Sequence, residues 1–272
     1  MTSLLKAWLA HPLTRGFDIN DPQTTDLRRR LISEKRFLHL IYDEWYQSVA
    51  EELPAGPGPV LEIGSGAGFM SDYVPGLVTS EMFPCRKIRV ALNAMQMPFA
   101  NDALRAIVMT DVLHHIPNVR HFFAEAIRCI RPGGSIVMIE PWVTPWSLQI
   151  YTRLHHEPFE PDASHWHFPS NGPLSDANGA LPWILFERDQ AKFRCEFPSL
   201  EIKSIKPMMP FRYLLSGGVS QRSLMPGWSF RTWCFLEKLL QPWMNSWAMF
   251  ARIVLVKTQN PGGDETLTTR ND

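Results

Sequence analysis

An open α/β fold with a mostly parallel sheet follows from three features of the sequence. Val60-Leu61-Glu62-Ile63 is an apolar run rich in branched side chains, which reads as a buried parallel strand. Gly64, Gly66 and Gly68 follow at alternate positions and make a tight turn into a helix, where the backbone can approach a ligand that any side chain would meet. From Leu104 to Glu140 strand and helix patterns alternate, which implies parallel strands joined by right-handed crossovers.

Taken in order, residues 1–25 are mixed and are expected to wrap the surface as a short helix and loop. From Thr25 to Leu53 the pattern is helical, with Leu27, Leu31, Leu38, Ile41, Trp45 and Val49 on one face. Pro54-Ala55-Gly56-Pro57-Gly58-Pro59 ends that helix and leads into the first strand. Leu77-Val78-Thr79-Ser80 reads as the second strand, ending in Glu81, and the short interval from Gly68 requires a brief intervening helix. Leu104 to Thr110 is the fourth strand, closed by Asp111. Asn118 is placed to cap a helix with the apolar stripe Val119, Phe122, Ala126 and Ile130. Pro132-Gly133-Gly134 is expected to stop that helix, and Ser135 to Glu140 to form the fifth strand. Beyond a long segment from Trp142 to Trp183, a helix is predicted over 183–193 and a sixth strand over 200–205. A further helix follows over 231–247, interrupted at Pro242, with a last strand over 250–256. This organises the chain as an N-terminal helical cap (1–58), a central domain (59–257) with an insertion at 142–183, and a polar tail (258–272) expected to be disordered.

The whole-chain balance narrows the function. Lys+Arg and Asp+Glu both number 27 in 272 residues, so no net field draws nucleic acid, and none is expected as a partner. Cys85, Cys129, Cys195 and Cys234 lie far apart with no C-x-x-C pair, which argues against a zinc site or disulfide framework and for a reduced, cytoplasmic setting. The N-terminal apolar patch is too short for a signal peptide or a membrane span.

Glu62-x-Gly64-x-Gly66-x-Gly68 resembles the first motif of class I methyltransferases that use S-adenosylmethionine (SAM). The resemblance continues through Met97-Pro98-Phe99, Asp111-Val112-Leu113-His114-His115 and Arg131-Pro132-Gly133-Gly134. It implies a Rossmann-like, seven-stranded, mostly parallel sheet with helices on both faces and an antiparallel strand in a reversed pair at the end. N-terminal helices would precede the sheet, and an insertion would follow strand 5. It also implies SAM as cofactor, held by Glu62, Gly64, Ser65, Gly66, Gly68, Glu81, Asn93, Ala94, Met95 and Asp111. Glu81 resembles the acid that accepts both ribose hydroxyls. Family members usually carry an aspartate where this chain has Asn93, whose oxygen can still accept a bond from the adenine amino group. Two other readings of the glycine turn stand beside this one. A nicotinamide-dependent oxidoreductase would use G-x-G-x-x-G, but here the third glycine comes one residue early. A non-catalytic partner subunit of the same fold is allowed by Asn93 and by the short step to Glu81.

Methyl transfer needs alignment above all, and an oxygen nucleophile also needs a base. His115 and His156 are the candidate bases, with Asp111, His114, His155 and Glu157 nearby in loops at the C-terminal edge of the sheet. His114 reads rather as a fixture that holds its loop. The histidines at 155, 156, 165 and 167 do not have the i, i+4 spacing of a helical metal pair, and no metal is expected. The 142–183 insertion, dense in Trp, His and Pro, is expected to build the acceptor pocket. The acceptor class is a small molecule or saccharide, methylated at oxygen. Beyond the shared core the chain resembles bacterial methyltransferases associated with cell-surface polysaccharide synthesis. The Trp-rich segment 228–250 has two readings, a core-facing or dimer stripe and a peripheral membrane contact.

Overall fold

The computed structural model describes residues 22–86, 88–155, 157–169 and 177–258. The loop expected over the first residues and the tail beyond Thr258 lie outside the described residues. Where a single N-terminal helix is predicted there are two, α1 (Pro22–Glu34) and α2 (Arg36–Ala50). The break falls at Lys35, whose backbone is non-helical (φ −85°, ψ 84°). Its ammonium is buried and donates to the carbonyls of Gly218 and, at 2.7 Å, Gln221. A desolvated ammonium requires such partners. Periodicity carries through the break because α2 keeps the same apolar face, burying Phe37, Leu38, Ile41, Trp45, Tyr46 and Val49.

The sheet is the one the resemblance implies. Its strands are β1 (Val60–Ile63), β2 (Val78–Glu81), β3 (Val90–Ala91), β4 (Leu104–Thr110), β5 (Ile130–Pro141), β6 (Leu200–Met208) and β7 (Phe250–Lys257). Their spatial order is β3-β2-β1-β4-β5-β7-β6. β1 to β5 pair in parallel, and β7 runs antiparallel between β5 and β6. All of β1 is buried, as expected of a central strand covered on both faces. The order reverses between β1 and β4, and in an open α/β sheet the crevice at that reversal receives the ligand. The glycine turn after β1 and Asp111 after β4 both stand there.

Local chemistry explains most connections. α3 (Val119–Cys129) begins where Asn118 accepts bonds from the backbone N–H groups of Arg120 and His121. It ends without help from Pro132-Gly133-Gly134, contrary to expectation. Those residues lie within β5, where the register against β4 slips between Leu104↔Ile130 and Ala106↔Ser135. A Cβ on Gly134 would fall 2.4 Å from Ile130 Cγ2 and 2.7 Å from the Arg105 carbonyl, so glycine lets the bulge press against β4. α4 (Pro145–Leu154) opens the insertion with a reciprocal Thr144–Ser147 capping box. The helix predicted over 183–193 divides into a π-type turn (Ile184–Arg188) and α5 (Gln190–Glu196), both packed on Phe123 of α3. α6 (Arg212–Ser216), α7 (Phe230–Leu239) and α8 (Met244–Trp247) follow β6, with the interruption at Pro242 where it was predicted.

Because Asn118 alone accepts two of the orphan donors that open α3, Asn118→Ala should lower stability by about 1 kcal/mol, read as a shift in urea midpoint with an unchanged slope.

Candidate active site

The three glycines answer three different demands. Gly64 and Gly66 have positive φ (67° and 42°), and a Cβ on Gly64 would lie 2.5 Å from Val112 Cγ2. Gly66 faces Glu81, whose Oε1 would be 3.2 Å from its Cβ. At Gly68 the neighbour is the Tyr46 hydroxyl of α2, 2.3 Å from the Cβ position and bonded by the Phe69 backbone N–H. The turn is stapled to β2 by Ser65, whose N–H donates to the Ser80 carbonyl (2.9 Å) while its hydroxyl accepts from Ser80 N–H (3.0 Å). It opens a single 3₁₀ turn, Met70–Asp72, rather than the brief helix expected. No helix N-terminus is therefore aimed at the crevice, and the usual seat for a dinucleotide's diphosphate is missing from this turn.

The cavity above the turn carries acid instead. Glu62, Glu81 and Asp111 all line it. Burial pushes Glu62 up to about 7, with the Ser65 bond opposing and the Glu81 charge adding to the rise. Burial likewise raises Glu81, against the backbone N–H groups of Met82 and Gly66 that hold its ionised form. Asp111 sits at φ 61° and opens into the cavity, 36% exposed. Enclosure pushes its carboxyl up to about 6 despite the opposing charge of His114. Carboxylates crowded in a poorly hydrated pocket favour a cationic ligand and disfavour a diphosphate.

A second group of side chains meets the cavity at its floor. His114 is buried, and its Nδ1 lies 2.8 Å from Glu140 Oε2. The other oxygen of Glu140 accepts the backbone N–H groups of Val112 (2.9 Å) and Leu113 (2.7 Å). Burial alone would lower the His114 pKa, but Glu140, Glu157 and Asp111 together raise it well above the usual histidine range. Glu157 is 3.6 Å from His114 Nε2 and 3.9 Å from His115 Nε2, ion-pair rather than hydrogen-bond distances. Burial raises the Glu157 carboxyl, and His114, His115 and His155 outweigh it, so the group stays ionised well below the ordinary carboxylate range. The ligand atoms of His114, His115 and Glu157 lie within 4.8 Å of one another, close enough for an ion, a grouping that helical spacing had not foreseen.

Every cofactor residue anticipated from the sequence faces this one cavity: Glu62, Gly64, Ser65, Gly66, Gly68, Glu81, Asn93, Ala94, Met95 and Asp111, with His115 beside them. Asn93 carries an unforeseen duty, since its Oδ1 already accepts the Met95 backbone N–H at 2.9 Å. His156 lies outside the described residues. Of the insertion, Glu157 reaches the histidine corner, while Asn178 N–H donates to the His114 carbonyl and Phe168 N–H to that of Pro117. Tyr42, Tyr46, Arg28, Ile32 and Val219 also line the cavity and were not anticipated. Nor was Glu140. Arg29 donates to the Gly66 carbonyl at 2.7 Å, closing α1 over the turn.

Residues 61–138 match the model of a methyltransferase domain. Over that stretch the chain is similar to methyltransferase domains. The cavity that the motifs of this stretch share is acidic and floored by glycine. A demethylmenaquinone methyltransferase of Tropheryma whipplei is 26% identical over 113 residues, 35% of this chain and 47% of that protein. The chain thus spans about half the length of the curated relatives it first matches. A chain of the complex between the Haloferax volcanii Trm112 methyltransferase activator and its methyltransferase has a TM-score of 0.50 at 10% identity, covering 89% of this chain and 99% of that one. A geranyl diphosphate C-methyltransferase of Streptomyces coelicolor, solved with Mg2+, geranyl diphosphate and S-adenosyl-L-homocysteine, has a TM-score of 0.48 at 14% identity, covering 92% and 89%.

Two outcomes follow from this geometry. Gly68→Ala should destabilise by roughly 1–3 kcal/mol through overpacking against Tyr46, and Tyr46→Phe in the same chain should recover part of that loss in a double-mutant cycle. His114 has a raised folded-state pKa. Its contribution to stability is complete below the free-histidine value of about 6.5 and is lost as pH climbs through the folded value. Urea midpoints measured from neutral to alkaline pH should therefore fall, and His114→Gln should flatten that fall.

Proposed function

We propose that this protein transfers a methyl group from SAM to a hydroxyl oxygen of a small-molecule acceptor, with His115 as general base. The observation that carries the proposal is that His115 and Asp111 belong at once to the cofactor cavity and to the Glu140–His114–Glu157 corner. A proton acceptor thus stands beside the place where a cationic cofactor fits.

The cofactor supplies an electrophilic methyl on a positively charged sulfur. Asp111 lowers the potential of that cation in the cavity, and Glu81 offers acceptor oxygens to hydroxyl groups. When bound, SAM would supply the methyl group to the acceptor oxygen with its sulfur as leaving group, and the His115 imidazole would take the hydroxyl proton. Glu157 steadies the imidazolium so formed. Glu140 and His114 keep the loop in place, which is alignment rather than bond-making.

Among the described lining residues, Ile32, Tyr42, Ile116, Pro117 and Val219 give the cavity an apolar wall. We read this as favouring an acceptor with an apolar face, in keeping with relatives named for demethylmenaquinone, over a saccharide whose hydroxyls would each want a partner. The role expected in surface polysaccharide synthesis would require a lipid-linked or otherwise amphiphilic sugar. The non-catalytic reading is disfavoured because such a subunit needs neither the glycine fit nor the histidine corner.

Calorimetric titration should give SAM binding that Glu81→Ala weakens, and absence of binding at millimolar SAM would refute the reading. With the acceptor identified, His115→Ala should lower kcat by about 10²–10⁴-fold while SAM affinity stays nearly unchanged. A chelator should leave turnover intact. Full turnover in both His115→Ala and His156→Ala would leave alignment as the whole of catalysis.

A further inference from the structure

Water-facing apolar bulk in this molecule is concentrated on one segment. The exposed large hydrophobics among the described residues are Met82, Leu224, Trp228, Phe235, Leu236, Leu239, Trp243 and Trp247. All but Met82 fall between β6 and β7, on α7 and the turns that flank it. Trp228 is 84% exposed, Phe235 61% and Trp243 59%. Phe235 and Leu239, four residues apart, share a face of α7, and Trp228 and Trp243 stand in the 3₁₀ turns at its two ends. The Trp-rich segment divides between the two readings: Phe230, Trp233 and Phe250 pack in or against the core, while Trp228, Phe235 and Trp243 face solvent.

Charge selects what covers that face. From Arg222 to Trp247 the charged side chains that reach solvent are Arg222, Arg231 and Lys238, all basic. The one acid, Glu237, is buried and holds Arg212 Nε at 2.5 Å, while the Arg212 backbone N–H donates to it at 2.8 Å. An exposed set of Trp, Leu and Phe on a segment whose own exposed charges are all basic suits an anionic bilayer surface, where indoles settle at the headgroup level and basic side chains reach phosphates. The neighbouring acids Glu34, Glu44 and Glu51 belong to α1, α2 and the turn after them. No described helix is long and apolar enough to cross a membrane, so the contact is peripheral.

The face is also joined to the active site. Val219 lines the cofactor cavity, and the carbonyls on either side of it, Gly218 and Gln221, are held by Lys35 at the α1–α2 break. The same loop continues through Leu224 and Gly227, which packs on Arg36, to Trp228. We propose that residues 222–247 dock on an anionic lipid surface, placing the loop that walls the pocket against the bilayer so that a membrane-dissolved acceptor can enter beside it. Docking stands independently of the reaction; entry of the acceptor rests on the methyl-transfer reading.

Full-length protein should co-sediment with phosphatidylcholine vesicles containing phosphatidylglycerol, with a blue shift in tryptophan emission, and much less with phosphatidylcholine alone. Exchanging Arg222, Arg231 and Lys238 together for Gln should weaken partitioning by roughly 10²-fold, at about fivefold per basic residue. Trp228→Ser with Trp243→Ser should abolish the blue shift while calorimetric SAM binding persists, which shows that the fold is intact. Vesicle binding unaffected by both sets would overturn the proposal, as would no binding at low salt. A lipid-free, concentration-dependent dimer abolished by the Trp variants would also overturn it, making the face a contact between copies of the chain.

Discussion

The Glu140 carboxylate, with no exposure to solvent, is the interaction on which the active site hangs. It ends the central strand β5 and gathers three donors from the loop after β4: two backbone N–H groups and the His114 ring. A buried carboxylate must be satisfied in this way, and a loop that supplies every donor has little freedom to move. Asp111 and His115 bracket those donors, so the strained φ of one and the placement of the other follow from the same anchor.

The opposite wall is built on another principle. α2 is packed into the core through Phe37, Ile41, Trp45, Tyr46 and Val49, and polar contacts add to this, Arg29 of α1 on the Gly66 carbonyl and Lys35 on Gly218 and Gln221. Burial lowers the Lys35 ammonium to about 8, so the clasp is built from a cation with little affinity to spare for its charge.

Motifs that look alike in sequence carry unlike duties. Met97-Pro98-Phe99 touches no chemistry; Glu125 and Arg128 of α3 hold its backbone, with Met97 N–H on Glu125 at 2.8 Å and Arg128 on the Met97 and Phe99 carbonyls. Arg131-Pro132-Gly133-Gly134 is a bulge that lets β5 lie against β4. Only the first motif and the Asp111–His115 stretch face the cavity.

What the sequence determined by itself was whatever depends on neighbours along the chain. β1 with its glycines, the Asn118 cap, the break at Pro242 and every strand but the two-residue β3 were legible because period, turn chemistry and capping act over a few residues. The ten residues anticipated for a cofactor share one cavity for the same reason, lying in short stretches at strand ends. Tertiary structure alone decided the rest. Glu140 reads as one more strand residue until His114 folds beside it, 26 positions away. Tyr46 becomes the reason for Gly68, and Val219 a wall of the pocket, only once helices close over the sheet. The face of α7 could be assigned to water rather than core only there, because an amphipathic period states that two faces differ and leaves open what each will meet.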